Sequence, residues 1–207
     1  MAVTPGRHQL GPDHGRIILR TSRDGLAATA GHDLTIEAIR WSGVLTVNED
    51  LSPADLDVRI DMGALVVREG TGGVKPLSDR DRREIAVTAR KTLGADRFPE
   101  AVFAASTFAP ADGAGAGPRA GGEISGTLTL HGETRPLRLQ VSHTGPDRYH
   151  AEATVVQSQY GIKRYSGFLG ALRVRDAVQV TIDVDLSGLG AEGAPPEASE
   201  APAREAR

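Results

Sequence analysis

The chain has 207 residues, which is enough for one domain of ordinary size with a sizeable core. Its 24 basic and 27 acidic residues give a formal net charge of -3, so we expect no nucleic-acid partner. The absence of cysteine excludes disulfides, thiolate metal sites and a cysteine nucleophile. No apolar run approaches the roughly 18 residues of a membrane-spanning helix, and no signal-like segment opens the chain. We therefore expect a soluble, cytoplasmic protein without stable membrane insertion.

The two ends of the chain differ from its middle. Polar residues with Pro and Gly fill positions 1–14, and Ala, Pro and Glu dominate positions 188–207, so both ends are predicted to be disordered. Residues 15–187 are predicted to form one domain. Runs rich in Val, Ile, Leu and Thr predict eight strands in it, at 17–23, 26–47, 56–62, 101–108, 123–130, 137–142, 149–157 and 172–186.

Apolar and polar residues alternate within these runs. The pattern is clearest at 56–62, 124–130 and 178–186, where every second residue is apolar. Alternation indicates strands with one dry and one solvated face, which is typical of an antiparallel sheet.

One helix is predicted, over residues 79–93. Ser78 is its N-cap, Asp81 completes a capping-box-like start, and Gly94 ends it. Its apolar stripe is thin, with Ile85, Ala89 and Leu93 on one face, so the helix is expected to lie outside the sheet or to cover one end.

A long sheet with one dry face and a single helix does best by closing on itself. The predicted fold is therefore all-β with one helix, an eight-stranded antiparallel up-and-down β-barrel. Only 4% of the residues are aromatic, so large rings cannot fill the interior. Both a cavity and an interior packed by smaller aliphatic side chains remain open at this point.

Two glycine-containing loops invite a phosphate-binding interpretation. The loop over 68–81 has three glycines before Lys75 but lacks P-loop spacing, so it is either a flexible surface loop or an anion site for a pyrophosphate head group. The loop over 113–122 joins two strands and opens no helix, which predicts a mobile hairpin loop. Residues 157–170, with two tyrosines and a phenylalanine, form either a gate or a packed loop.

The sequence predicts no catalytic residue, no metal site and no cofactor. Its six histidines have no metal-ligand spacing, and no serine stands in a nucleophile elbow. His32 differs from the other histidines, because it opens a row with Leu34 and Ile36. It is either a core or rim histidine or a polar group that orients a ligand head.

Five segments, in this order, make the chain resemble the YceI-like family. They are AGHDLTI followed by WSGVLTV, the pair Arg80–Asp81 at the helix, Phe98–Pro99 before Phe103, the hairpin over 126–134, and the stretch 157–162. The similarity covers roughly residues 16–186. It implies a lipocalin-like eight-stranded barrel, not an enzyme, whose pore takes the tail of a polyisoprenoid or similar amphipathic lipid. The family commonly has Arg-Asp-x-His-Leu at the helix, whereas here Arg80–Asp81 is followed by Arg82, Arg83, Glu84 and Ile85. The family's late stretch usually has Arg, whereas this chain has Gln157.

The expected partner is a long-chain isoprenoid or acyl lipid, and a homodimer is left open. His32 and Arg80 are expected at the polar head, and Tyr160, Ile162, Tyr165 and Phe168 at the entrance. Predicted lining residues are Leu34, Ile36, Ile60, Met62, Phe103, Leu128, Leu130, Val180 and Ile182. Two alternatives are a stress-linked interaction module with a packed barrel, whose partner binds residues 70–83, and a hydrolase or isomerase with its site at the barrel mouth.

Overall fold

A computed structural model describes residues 4–110, 121–187 and 189. The predicted C-terminal tail therefore lies outside the described residues except for Leu189, and so does most of the predicted loop over 113–122.

The described chain is mostly β-structure with one α-helix. In chain order the elements are β1 (Gly6–Leu10), β2 (Gly15–Thr21), β3 (Arg23–Asp24), β4 (His32–Ala38), β5 (Trp41–Val47), β6 (Pro53–Asp61), β7 (Leu65–Gly72), α1 (Asp79–Thr92), β8 (Glu100–Pro110), β9 (Gly122–Leu130), β10 (Glu133–Gly145), β11 (Arg148–Val156), β12 (Ser166–Gly167), β13 (Leu172–Val174) and β14 (Ala177–Asp185). Three short 3₁₀ turns complete it, at Ala28–Ala30, Gln157–Tyr160 and Phe168–Gly170.

Eleven of these strands form one antiparallel sheet. Its hydrogen-bonded order is β1-β5-β6-β8-β9-β10-β11-β14-β2-β4-β7. The alternation predicted from the sequence is clear in β14, where it sets Val178, Val180, Ile182 and Val184 on one face. The antiparallel, mostly β fold with one helix is as predicted.

The predicted number of eight strands is replaced by eleven, because three long strands are interrupted. The interruptions separate β1 from β2 at residues 11–14, β4 from β5 at 39–40, and β6 from β7 at 62–64. They lie side by side: Ile39 N donates to the Ala64 carbonyl at 3.0 Å, and Asp61 N donates to the Arg40 carbonyl at 3.0 Å. The sheet bends at this line and curls so that β1-β5-β6 and β2-β4-β7 enclose a common interior.

Two strands of the main sheet were missed in the sequence. Residues 6–10, expected to be disordered, form β1 and pair with β5, and His8 is fully buried there. Residues 65–72, in part expected to be a loop, form β7, which pairs with β4 across a register shift at Thr35 and Ile36. Both strands have few apolar residues at alternate positions, so the apolar–polar pattern does not reveal them.

The helix prediction is confirmed. Ser78 accepts a hydrogen bond from Asp81 N, and the Asp81 carboxylate accepts one from Ser78 N at 2.9 Å, which completes the capping box. The helix contacts β7, and its N-terminal side is fixed where Leu77 packs against Gly70. It therefore lies across one end of the curled sheet.

A second, three-stranded sheet lies at the same end. Its order is β12-β13-β3, and it includes residues predicted to extend long strands. The predicted strand over 172–186 is in fact two, β13 and β14, which belong to different sheets. The predicted strand over 26–47 contains a 3₁₀ turn, β4 and β5.

Among the helices in the described part of the chain, none has the length and apolar character needed to cross a membrane.

Candidate ligand-binding cavity

The inward face of the sheet surrounds one large cavity of about 1350 Å³. Most of the long strands contribute alternate residues to its wall, as β4 does with His32, Leu34, Ile36 and Ala38. A void of this size is far larger than the packing defects of ordinary cores, which rarely exceed one water molecule. The cavity is therefore a feature of the fold.

The wall is almost entirely aliphatic along the middle of the cavity. Many inward-facing residues there are only half-buried although they point away from bulk solvent, because their side chains meet empty space instead of one another. These residues are Leu19, Leu34, Leu45, Leu56, Val58, Ile60, Ile124, Leu137, Val141, Ala151, Val180, Ile182 and Val184. The interior can take an apolar group without displacing core side chains.

One end of the cavity, which we call the basic end, is lined by Arg23, His32 and Arg173. The Arg23 guanidinium donates to the Gly31 carbonyl at 2.8 Å, and its Nε lies 3.9 Å from Asp33 Oδ1. Arg173 Nε donates to the Gly170 carbonyl at 3.0 Å, and no described carboxylate pairs with Arg173. The basic end thus offers positive charge to a ligand.

The opposite end has the reverse charge. Asp50 and Asp147 line it beside Ser52 and Tyr149. Ser52 donates to Asp50 from its backbone at 2.9 Å and from its hydroxyl at 2.5 Å, and these hydrogen bonds lower the pKa of Asp50. The cavity is therefore polarised along its length.

The helix closes part of the basic end. Ile85, Ala89 and Leu93, the predicted apolar stripe of α1, line the cavity together with Thr88 and Thr92. The helix is thus a cover for the cavity rather than an element of the main core.

The segment after β11 forms the other side of the same end. Gln157 is buried, and its Nε2 donates to the Arg175 carbonyl at 2.9 Å. Tyr160 is buried too, which raises the pKa of its hydroxyl, and its carbonyl lies 3.0 Å from His131 Nδ1. His131 in turn packs on Phe98, with ring centroids 4.6 Å apart. These contacts fix residues 157–162 against the sheet.

The structure places most of the predicted ligand residues in the cavity wall. They are His32, Leu34, Ile36, Ile60, Met62, Phe103, Leu128, Leu130, Ile162, Tyr165, Val180 and Ile182. Three others lie elsewhere: Arg80 is exposed on α1 and pairs with Glu84, Tyr160 is buried beneath the wall, and Phe168 is exposed outside it.

Sequence reasoning missed the two arginines of the basic end. Arg23 stood at the boundary of a predicted strand and Arg173 inside one, and alternation does not reveal that both contribute to the lining of the cavity. The position of Arg173 follows from the break between β13 and β14. In the sequence, Asp176 is the only residue that indicates this break.

Neither alternative function gains support from this geometry. A packed interaction module requires a filled interior, whereas the interior holds the large cavity. A site for hydrolysis or isomerisation needs acid and base groups close together, whereas the ionisable groups of the wall are divided between its two ends: Arg23, His32 and Arg173 line one end, and Asp50 and Asp147 line the other. Among the described residues there is also no group of three or more metal-ligating side chains.

Comparisons with known proteins agree on the fold. The profile of the YceI-like domain matches residues 10–186. A solved polyisoprenoid binding domain from Saccharophagus degradans, implicated in plant cell wall breakdown, is similar with a TM-score of 0.51 at 13% identity, over 87% of this chain and 97% of that one. BcnA from Burkholderia cenocepacia has a TM-score of 0.48 at 16% identity, over 81% and 94% of the two chains. The YceI protein of Campylobacter jejuni has a TM-score of 0.46 at 15% identity, over 72% of this chain and 81% of that one. No curated protein matches the chain.

Proposed function

This chain belongs to the YceI-like domain family, and from that membership together with its apolar cavity we propose that it binds and carries a polyisoprenoid or similar long amphipathic lipid, without catalysing a reaction. The cavity is the observation that carries the proposal. Its volume exceeds the roughly 300–1,000 Å³ of ordinary small-molecule pockets, so it suits a long chain better than a compact metabolite. The polyisoprenoid binding domain from Saccharophagus degradans, which has a similar fold, supports this ligand class by analogy.

Apolar burial supplies the affinity. Each methylene moved from water into the cavity contributes about 0.8 kcal/mol, so about ten of them give roughly 8 kcal/mol, the free energy of a micromolar complex. Ordering the chain offsets part of this gain. Ligands with short tails are therefore expected to bind weakly, and affinity is expected to rise with tail length until the cavity is full.

The charges at the two ends suggest an orientation for the ligand. Arg23, His32 and Arg173 favour an anionic head such as a phosphate at the basic end. Asp50 and Asp147 disfavour the same head at the other end. The tail then runs from the basic end along the aliphatic wall.

The proposal includes a barrel of eight strands, an architecture that suits such a ligand. Counted across the three bends, β1–β2, β4–β5 and β6–β7 are three bent strands, and β8, β9, β10, β11 and β14 complete eight in up-and-down order. A lipocalin-like barrel of eight strands holds one slim ligand.

Native mass spectrometry of the protein purified from its own cells tests the proposal, followed by lipid extraction and by uptake of prenyl alcohols and prenyl phosphates of increasing length. One prenyl or acyl species per chain, or saturable uptake that strengthens with tail length, is the expected result. Protein that is always empty and takes up no member of the series would overturn it.

A further inference from the structure

Three large apolar side chains stand in solvent beside the basic end. Leu26, Phe168 and Leu169 are 100%, 67% and 109% exposed, and we call them the apolar tip. Two hydrogen bonds place them at one corner: Ala27 N donates to the Ala171 carbonyl at 2.9 Å, and Ala171 N donates to the Phe168 carbonyl at 3.1 Å. Side chains this exposed contribute nothing to the core, so the tip needs another explanation.

The backbone of the tip is held in an unfavourable conformation. Phe168 and Leu169 have φ angles of 48° and 55°, in the left-handed region that bulky residues rarely adopt. Strain of this kind persists where the surroundings impose it and is concentrated at sites that bind something. Here it directs two apolar side chains away from the protein.

Positive charge surrounds the tip. Between residues 157 and 175 the chain has four basic residues, all exposed, and no acidic residue, although the whole chain is net negative. They are Lys163, Arg164, Arg173 and Arg175. Two acidic residues adjoin this segment: Asp176 follows Arg175 and accepts hydrogen bonds from Ser158, and Asp24 lies opposite Arg173 in the pair of β3 and β13. The tip therefore combines apolar side chains with a basic border.

The tip is continuous with the cavity opening. Leu172 and Val174, in the strand that follows the tip, line the cavity, as does Tyr165, which precedes it. Leu172 also packs against Gly31, next to His32 of the basic end. A membrane or other surface that binds the tip would therefore lie next to the opening through which a lipid enters.

We propose that the apolar tip docks this chain on an anionic lipid bilayer, with Leu26, Phe168 and Leu169 in the boundary between head groups and acyl chains. The basic residues meet the anionic head groups, so the basic end of the cavity opens toward the membrane. This inference rests on the proposed function and adds the surface from which cargo is collected. A protein partner fits less well, because three side chains supply much less than the roughly 800 Å² per partner of a stable interface.

The test compares two double variants of the full chain. Leu26→Ser with Leu169→Asn removes two fully exposed side chains, and asparagine tolerates the positive φ at position 169. The matched control is Ile39→Ser with Val87→Ser, which removes two exposed apolar side chains that do not belong to the tip. Sedimentation with vesicles of phosphatidylcholine, with and without phosphatidylglycerol, measures docking. Uptake of a fluorescent prenyl probe, delivered once from ethanol and once from the vesicles, measures binding separately.

The parent chain is expected to bind the phosphatidylglycerol vesicles, and more weakly as salt rises. The tip variant is expected to lose roughly tenfold or more in vesicle binding and in uptake from vesicles, with uptake from ethanol unchanged. The control variant is expected to keep vesicle binding, uptake from vesicles and uptake from ethanol at the level of the parent chain. A third variant, Lys163→Gln with Arg164→Gln, is expected to bind less tightly and with a weaker salt dependence.

Each other result has a defined meaning. Equal vesicle binding by the parent and the tip variant overturns the docking proposal, and so does probe uptake from ethanol by a parent chain that binds no vesicles. Tip-dependent self-association in the absence of vesicles also overturns it, in favour of a contact between copies of the chain. Tip-dependent vesicle binding without any probe uptake supports docking and contradicts the carrier function instead.

Discussion

The His32 ring nitrogen Nε2 lies 2.8 Å from the carbonyl oxygen of Lys75, so the imidazole at the basic end also holds the loop between β7 and α1. A carbonyl oxygen only accepts hydrogen bonds, so Nε2 carries the hydrogen. The ring fits because Gly73, with a φ of 71°, has no side chain: a Cβ there would lie 2.3 Å from His32 Nε2.

Replacing His32 by alanine is therefore expected to release this loop. The lost hydrogen bond lowers the free energy of unfolding by about 1 kcal/mol, and amide exchange accelerates in residues 73–77. Hydrogen exchange read by mass spectrometry measures this locally. His150→Ala is the control, because His150 lies on β11 and bonds Asp183 and Glu152 instead. Unchanged exchange at 73–77 in the His32 variant would contradict the anchoring role.

Removing one charge at the basic end tests the orientation of the ligand. Arg173→Met is expected to weaken binding of a prenyl phosphate by about tenfold, because a charge-assisted hydrogen bond to the head is lost, and to leave a prenyl alcohol nearly unaffected. Arg175→Met is the matched control, since Arg175 is exposed and does not line the cavity. Competition binding with the two ligands measures the ratio. An equal loss for both ligands would rule out head recognition by Arg173.

A large side chain in the wall is expected to block the cavity. Val180→Trp extends into the space that Val180 faces, so it competes with the ligand tail and lowers the affinity for long prenyl chains at least tenfold. The free energy of unfolding changes by less than the 1–3 kcal/mol or so usual for overpacking, because the void can take the ring. Gln179→Trp, which is exposed on the same strand, is the control. Probe titration and urea unfolding measure both effects, and undiminished binding by Val180→Trp would place the ligand elsewhere.

On the outer surface, Glu37 is 7% exposed and bonds to Arg16 and Arg68. Burial alone would raise the pKa of Glu37, but the hydrogen bonds from the two guanidinium groups outweigh it and leave the pKa lowered. A carboxylate with a lowered pKa stabilises the fold above its unfolded pKa of about 4.3, and this contribution is lost as pH falls through the folded pKa.

Glu37→Gln is therefore expected to destabilise the protein by about 1–2 kcal/mol near neutral pH, and the difference from the parent is expected to shrink on acidification. Urea unfolding along a pH series measures this dependence. Glu69→Gln, an exposed carboxylate of β7, serves as the reference and is expected to change stability little at any pH. If the difference in unfolding free energy between the parent and Glu37→Gln stayed constant at acidic pH, the loss of stability would be steric and not electrostatic.

The sequence allowed the regular parts of the fold to be predicted and little of the geometry that shapes the cavity. Strands such as β9 and β14 alternate over many residues, and α1 has an explicit cap in Ser78, so local physics determines them. Strand β1 buries His8 against β5 without an apolar pattern, and only tertiary pairing reveals it. The cavity depends on side-chain lengths from strands far apart in sequence, and Arg23 and Arg173 lie on neighbouring strands only because β3 pairs with β13.

The bend line across β1–β2, β4–β5 and β6–β7 has a consequence for what such a protein can evolve to hold. Two of its three bends are joined directly, because Ile39 N donates to the Ala64 carbonyl and Asp61 N donates to the Arg40 carbonyl. Adding a single residue at one of them would turn every following side chain to the opposite face. Adding two residues to each strand beyond the line would deepen the interior by about 7 Å and keep all faces unchanged. We therefore expect relatives with longer or shorter cargo to differ by paired insertions beyond this line, in even numbers, more than by substitutions in the wall.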